Sequence, residues 1–154
     1  MAESAEESAR EVLEVVPLVM RAIRAEMRRR GGHDLSVPQF RALNYVGRHE
    51  GCSLSTVAEH LGLSRPSTST LIEGLLERGL VLREEHPTDR RRVTLALTLA
   101  GRASLEAARR ATAAKLADAL ATLTPEERET VARAMAALRP IFTPGDQGQG
   151  GTRS

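Results

Sequence analysis

The chain has 154 residues with 22 basic and 20 acidic side chains, a formal net charge of +2. That length suits one domain with tails, large enough to hold together without a disulfide or a metal. Hydrophobic residues at 41% and charged residues at 27% exclude wholesale disorder. Phe40, Tyr45 and Phe142 are the only aromatic rings, too few for a platform that stacks single-stranded nucleic acid. Lys115 is the only lysine. Arginine suits phosphates and base edges, but a G+C-rich genome produces the same excess, so only position argues function. Cys52 alone rules out an internal disulfide and fits a reducing cytosol. No apolar run reaches about 18 residues and the N-terminus is acidic, so a cytoplasmic protein without membrane contact is expected.

Residues 1–9 read as a ragged, disordered end. From about Arg10 to Arg30, Val12, Val16, Met20, Ile23 and Met27 recur at helical steps, with Pro17 marking a start or a kink. Arg28 to Arg30 before Gly31 and Gly32 form a conventional stop. Ser36 with Gln39 is a capping box for a second helix, with Phe40, Leu43 and Val46 on its buried stripe. Leu54, Val57, Ala58 and Leu61 then face inward on a short helix. Gly62 makes a tight turn, and Ser64 caps a third helix that runs to about Arg78. Small Ala58, Gly62 four residues on and Leu71 nine beyond that have the spacing of a helix-turn-helix, whose steep crossing needs close approach.

After Gly79 the period changes from 3.6 to 2, giving strands over 80–85 and 92–98 around a polar tip, His86 to Arg91. A hairpin behind a recognition helix is a wing. A helix from about Leu99 to Ala121 follows, with Leu105, Leu116, Leu120 and Leu123 near one stripe. Thr124 to Glu127 is a capping box that opens the last helix. Residues 143–154 read as a disordered tail.

Winding the third helix puts Thr68, Leu71, Ile72 and Leu75 inward, leaving Pro66, Ser67, Ser69, Thr70 and Glu73 outward with Arg65 in the first turn. Small hydroxyls at a helix N-terminus suit phosphates and base edges, although a Ser/Thr-rich first turn can equally be a cap alone. The wing shifts that balance toward DNA. Asp89 can tie down one of Arg90, Arg91 and Arg92 and leave another to enter a narrow minor groove.

Leu54 to Gly101 resembles the winged helix-turn-helix of the MarR (multiple antibiotic resistance regulator) family. The likeness rests on Asp89-Arg90-Arg91, then Leu97-Thr98 with Gly101, and on Leu75, Gly79, Leu80, Val81 and Arg83. Thr68 and Thr70 depart from the family's usual residues. The resemblance implies a mainly α fold with a small β-hairpin wing, a winged helix-turn-helix with flanking N- and C-terminal dimerisation helices. The single domain then spans 10–142, with dimerisation helices at 10–35 and 99–142 and the DNA-binding lobe at 36–98. It also implies an obligate homodimer, Arg91 as the minor-groove arginine with Asp89 as its organiser, and release of DNA by a small-molecule effector. Met20, Arg41 and Tyr45 are the candidate effector-pocket residues. Ala103, Ala107, Ala108, Ala111, Ala114 and Ala117 are small enough for close helix packing across a two-fold axis.

The expectation is a homodimeric, sequence-specific regulator of double-stranded DNA, a repressor on a pseudo-palindromic operator. The alternative is a winged-helix protein-interaction module that never binds DNA. His49, Glu50 and Cys52 do not make a zinc site and Cys52 reads as inert, so no metal and no cofactor is expected. No catalytic constellation stands out, so no enzyme is expected.

Overall fold

A computed structural model describes residues 2–29, 34–86, 88–89 and 92–143. The element order is α1 (Ala5–Arg29), α2 (Val37–Arg48), α3 (Leu54–Leu61), α4 (Arg65–Glu77), β1 (Val81–Glu85), β2 (Val93–Leu97), α5 (Leu99–Leu120) and α6 (Pro125–Phe142). The described residues fall into two compact units, one up to Leu116 and one from Ala117. The mainly helical fold with a two-stranded hairpin is the expected class.

Helix α1 starts at Ala5 rather than near Arg10, which corrects the reading of residues 5–9 as a ragged end. The reason is a capping box. The Ser4 N–H donates to Glu7 Oε2 at 2.7 Å, and the Glu7 N–H donates to Ser4 Oγ at 3.2 Å. Glu6 and Glu7 also complement the positive end of the helix dipole. The helix runs on through Pro17, which neither starts nor ends it. The stop expected at Arg30 to Gly32 lies outside the described residues.

The second helix starts as expected, with Ser36 capping α2 and the Gln39 side chain returning the bond to the Ser36 N–H at 2.9 Å. A further capping box opens α3. Ser53 accepts from the Thr56 N–H, and Thr56 Oγ1 accepts from the Ser53 N–H at 3.2 Å. Thr takes the place usually held by Glu or Gln, so the sequence pattern did not single it out. Gly62 then adopts φ +67, a left-handed turn that glycine enters without steric cost. Its N–H bonds to Glu59 and that of Leu63 to Ala58, closing α3.

Leu43, Val46, Val57, Ile72, Leu75 and Leu95 are each at most 2% exposed and form the centre of the core. Leu54 and Leu71, expected inward, are half-buried at its edge. Leu35, Leu105 and Ala108 belong to the same core. The start of α5, expected within a dimerisation segment, therefore packs on the helix-turn-helix lobe of its own chain. Of the α5 alanines, Ala108 is buried in the chain's own core, whereas Ala103, Ala107, Ala114 and Ala117 are exposed. Within the second unit, Leu123 is half-buried and α6 has no buried residue.

The hairpin pairs Val81 with Leu97 through to Glu85 with Val93. A third segment joins it unforeseen. The Gly51 N–H donates to the Leu95 carbonyl at 2.9 Å, and the Leu95 N–H donates to the Cys52 carbonyl at 2.8 Å. The segment after α2 thus covers one edge of β2 and ties the wing base to the core.

Also at the base of the hairpin, where β1 begins and β2 ends, lies a close junction with α4 and α5. Helix α4 closes with the Gly79 N–H on Leu76 and the Leu80 N–H on Leu75, both at 3.0 Å. The Thr98 hydroxyl donates to the Gly79 carbonyl at 2.6 Å and accepts the Gly101 N–H at 2.9 Å. The Thr98 N–H donates to Leu80 O at 3.1 Å. A Cβ on Gly101 would overlap the Leu80 carbonyl oxygen and lie 2.9 Å from its carbon. This is why glycine stands inside α5, where helix propensity alone favours alanine by about 1 kcal/mol.

Gly101→Ala is expected to destabilise the fold by about 1–3 kcal/mol, because the backbone clash outweighs the helix propensity it gains. Gly74→Ala on α4, where nothing lies within 4 Å of the new methyl, is expected to stabilise by about 0.5–1 kcal/mol. Urea midpoints at constant m check both signs, and a stabilising Gly101→Ala contradicts the junction.

Burial pushes the Cys52 thiol up to about 11, with the Glu50 charge adding to the shift. Folded protein at pH 8 should therefore react with iodoacetamide about 100-fold more slowly than unfolded protein. The unfolded thiol ionises from about 9 and the folded one only near 11. The stability contributed is therefore complete below pH 9 and lost as pH rises through that window. Equal alkylation rates in the two states contradict this assignment.

Candidate nucleic-acid interface

Helix α4 projects its first turn outward on the Ser64 cap, whose Oγ accepts the Ser67 N–H at 3.2 Å. Arg65, Pro66, Ser67, Thr70 and Glu73 are exposed and Ser69 is half-buried. The inward side holds Thr68, Ile72 and Leu75. Thr68 is fully buried, yet its hydroxyl donates to the Ser64 carbonyl at 2.9 Å. That bond explains how a polar residue occupies a core position without an unsatisfied hydroxyl. Two of the outward hydroxyls are engaged locally: Ser64 Oγ donates to Ser67 Oγ at 3.0 Å and Thr70 Oγ1 to the Pro66 carbonyl at 3.1 Å. Both can rotate toward a phosphate or base edge at the cost of a weak local bond.

Glu73, read from the sequence as an outward DNA-facing residue, has a partner on the wing. Arg83 Nη2 on β1 lies 2.7 Å from Glu73 Oε1, with both side chains about half exposed. An exposed pair of this kind contributes at most about 1 kcal/mol to stability. A separation of ten residues across a helix end and a strand carries no periodicity, so no sequence pattern pointed to it.

Arg90 and Arg91 lie outside the described residues. Arg92 and Asp89 are exposed, and the Arg92 N–H donates to the Asp89 carbonyl at 3.0 Å. The His86 N–H donates to the Arg92 carbonyl at 2.9 Å, so the hairpin pairing continues one step past the strands. His86 Nδ1 accepts the Thr88 N–H at 3.3 Å. His86, which opens the polar tip read from the sequence, thus anchors that tip through its ring.

Between the wing and the starts of α3 and α4 runs an open groove of about 770 Å³. Arg65, Arg83, His86 and Arg92 line it, with the hydroxyls of Ser53, Ser55, Thr56 and Thr94. Cations and hydroxyl donors along one open groove suit a polyanion, because each cation that meets a phosphate releases counterions.

The C-terminal end of α4 is held from behind. Arg78 Nη2 lies 2.6 Å from Asp34 Oδ2, and its Nη1 donates to Gln39 Oε1 at 3.4 Å. On the far side of the lobe, Glu50 accepts from Arg102 and from the Leu97 N–H, and Arg109 donates to Asn44 Oδ1.

Of the effector-pocket candidates, Arg41 and Tyr45 lie one turn apart on α2, and Met20 is 38% exposed on α1. Tyr45 stacks between His49 and His60, with ring centroids at 4.2 and 4.5 Å. Arg41 Nη1 donates to the Leu61 carbonyl at 3.5 Å. Burial holds the His60 imidazole below its ordinary range, and the positive charges of Arg41 and His49 add to this. His49, Glu50 and Cys52 point to separate partners: the Tyr45 carbonyl, Arg102 and the β2 edge. Among the described residues no group of three or more potential ligands gathers to hold a metal. No helix among them is long and apolar enough to cross a membrane.

The sequence profile described as the MarR family matches residues 33–92. The HTH-type transcriptional regulator MT0903.1 of Mycobacterium tuberculosis is 32% identical over 111 residues, covering 72% of this chain and 78% of that one. The crystal structure of RV1404 from Mycobacterium tuberculosis superposes with a TM-score of 0.70 at 26% identity, over 92% of this chain and 95% of the other. Two further structures share the fold. FabT of Streptococcus pneumoniae in complex with DNA has a TM-score of 0.62 at 20% identity, over 86% and 96% of the two chains. The Mycobacterium tuberculosis MarR family protein RV2887 with salicylic acid has 0.61 at 23% identity, over 89% and 97%. A wing fastened to a helix-turn-helix, a cation-lined groove between them and these likenesses converge on one assignment: the chain belongs to the MarR family of HTH-type transcriptional regulators, DNA-binding proteins rather than enzymes.

Proposed function

We propose that the protein is a homodimeric, sequence-specific regulator of double-stranded DNA, acting in the cytoplasm as a repressor that a small-molecule effector releases. The observation that carries this reading is the groove in which Arg65, Arg83 and Arg92 meet between the start of α4 and the wing. In this reading the first turn of α4 enters a major groove through Arg65, Pro66, Ser67, Ser69 and Thr70. The wing follows the backbone into the flanking minor groove, with Arg91 as the inserted side chain, Arg90 and Arg92 beside it and Asp89 as organiser.

Dimerisation is supported by apolar side chains that each unit leaves in solvent. On α1, Leu13 is 74% and Leu18 is 64% exposed. On α6, Ile141 and Phe142 are each 69% exposed, with Val131 and Met135 further along the helix. Exposed apolar stripes on two helices favour burial against a second copy. A two-fold dimer then places its recognition helices on half-sites about 10 bp apart, giving a pseudo-palindromic operator. The salicylate complex of RV2887 supports a small-molecule effector, and Met20, Arg41 and Tyr45 remain the proposed pocket residues. An effector changes DNA affinity by binding one spacing of the two reading heads better than another.

Selection from a random duplex pool at moderate salt is expected to enrich a pseudo-palindrome. Arg91→Ala should then weaken that duplex by about 5- to 150-fold, the cost of one specific groove contact, with the dimer intact in sedimentation. A pool that shows no enrichment, or a variant that binds as tightly as the original, overturns the reading.

A further inference from the structure

We propose that Glu73 limits the affinity of this interface for any duplex, acting through Arg83 by withholding a cation from the DNA backbone. The proposal rests on the DNA-binding reading above and assigns a role within that interface. Arg83 lines the groove beside Arg65 and Arg92, so its guanidinium stands where a phosphate would pass. Unlike those two, it is already engaged, with Nη2 at 2.7 Å from Glu73 Oε1. Arg65 and Arg92 carry no ion pair among the described residues. Both members of the Arg83–Glu73 pair are about half exposed, so the pair is open to the same solvent as the groove.

The electrostatic consequence follows from charge arithmetic. Affinity for any duplex rises with each phosphate neutralised, whatever the sequence, because each neutralisation releases condensed counterions. Specific recognition gains nothing from that contribution, which strengthens the operator and its competitors alike. A guanidinium bound to a carboxylate presents no net charge to the backbone. Glu73 therefore holds the non-specific level down while the hydroxyls of α4 and the wing remain free to discriminate. A base-reading Glu73 would instead accept a hydrogen bond from an exposed cytosine amine and fix one position of the operator. The 2.7 Å bond to Arg83 favours the first role, since base reading would require breaking that pair.

The two roles separate in Glu73→Gln, measured as affinity against salt on a selected duplex and on a scrambled one. The expected result is tighter binding to both duplexes by a similar factor, with the ratio between them unchanged. The salt slope should steepen by about one contact, an extra loss of about threefold between 50 and 200 mM. Arg83→Gln should weaken both duplexes, because Glu73 then faces the phosphates unpaired. Because Glu73 acts through Arg83, adding Glu73→Gln to Arg83→Gln should leave the salt slope where Arg83→Gln alone puts it, a coupling that independent residues would not show. A changed preference at one base position with an unchanged slope makes Glu73 a base reader and overturns the proposal. So does a slope that steepens in Glu73→Gln equally with and without Arg83. If the original protein shows no ratio between the duplexes, the regulator reading itself falls. If it shows that ratio and the slope does not move in Glu73→Gln, only this inference falls.

Discussion

The close approach of Gly101 to the Leu80 backbone is the constraint on which the reading head depends. Four elements meet there: the end of α4, the start of β1, the end of β2 and the start of α5. The Thr98 side chain joins three of them, donating to Gly79 and accepting from Gly101, while its backbone N–H donates to Leu80. No larger residue fits at 101 without moving the Leu80 carbonyl. A wing is useful to a DNA-binding protein only if its tip stands at a fixed distance from the recognition helix. This junction, with the Cys52–Leu95 bridge on the other edge of β2, sets that distance at the wing base.

Charge is distributed with the same economy. The net charge of +2 says little, because many arginines are spent on holding elements together. Arg78 fastens the end of α4 to Asp34, Arg102 fastens α5 to Glu50, and Arg83 is held by Glu73. The cations left for a polyanion are gathered by position. Arg65 comes from the first turn of α4 and Arg92 from the base of the wing tip, in sequence 27 residues apart and in space on one groove. The fold, rather than the composition, makes the basic surface.

Much of this was legible in the residues. The caps at Ser36, Ser64 and Thr124, the turn at Gly62 and the change from a 3.6 to a 2.0 period after Gly79 located seven of the eight elements closely, because each is a local signal. Helix α1 was misplaced at its start because an acidic run was weighed as solvated chain, although Ser4 and Glu7 stood at capping-box spacing. Contacts between elements were not legible. Nothing local distinguishes Glu73 as the partner of Arg83, Cys52 as an edge strand or Leu105 as part of the lobe's core. The same limit explains Thr68, which read as a departure from pattern until its bond to Ser64 placed it comfortably inside.

The most direct measurement is hydroxyl-radical footprinting of the protein on a selected duplex. The account predicts two protected halves related by a two-fold axis, centred about 10 bp apart. Within each half, minor-groove protection from the wing should lie at a constant distance of about half a helical turn outward from the recognition-helix contact. Protection confined to one groove, or wing protection at a distance that varies between selected duplexes, would contradict a wing held rigidly to the recognition helix at Gly101.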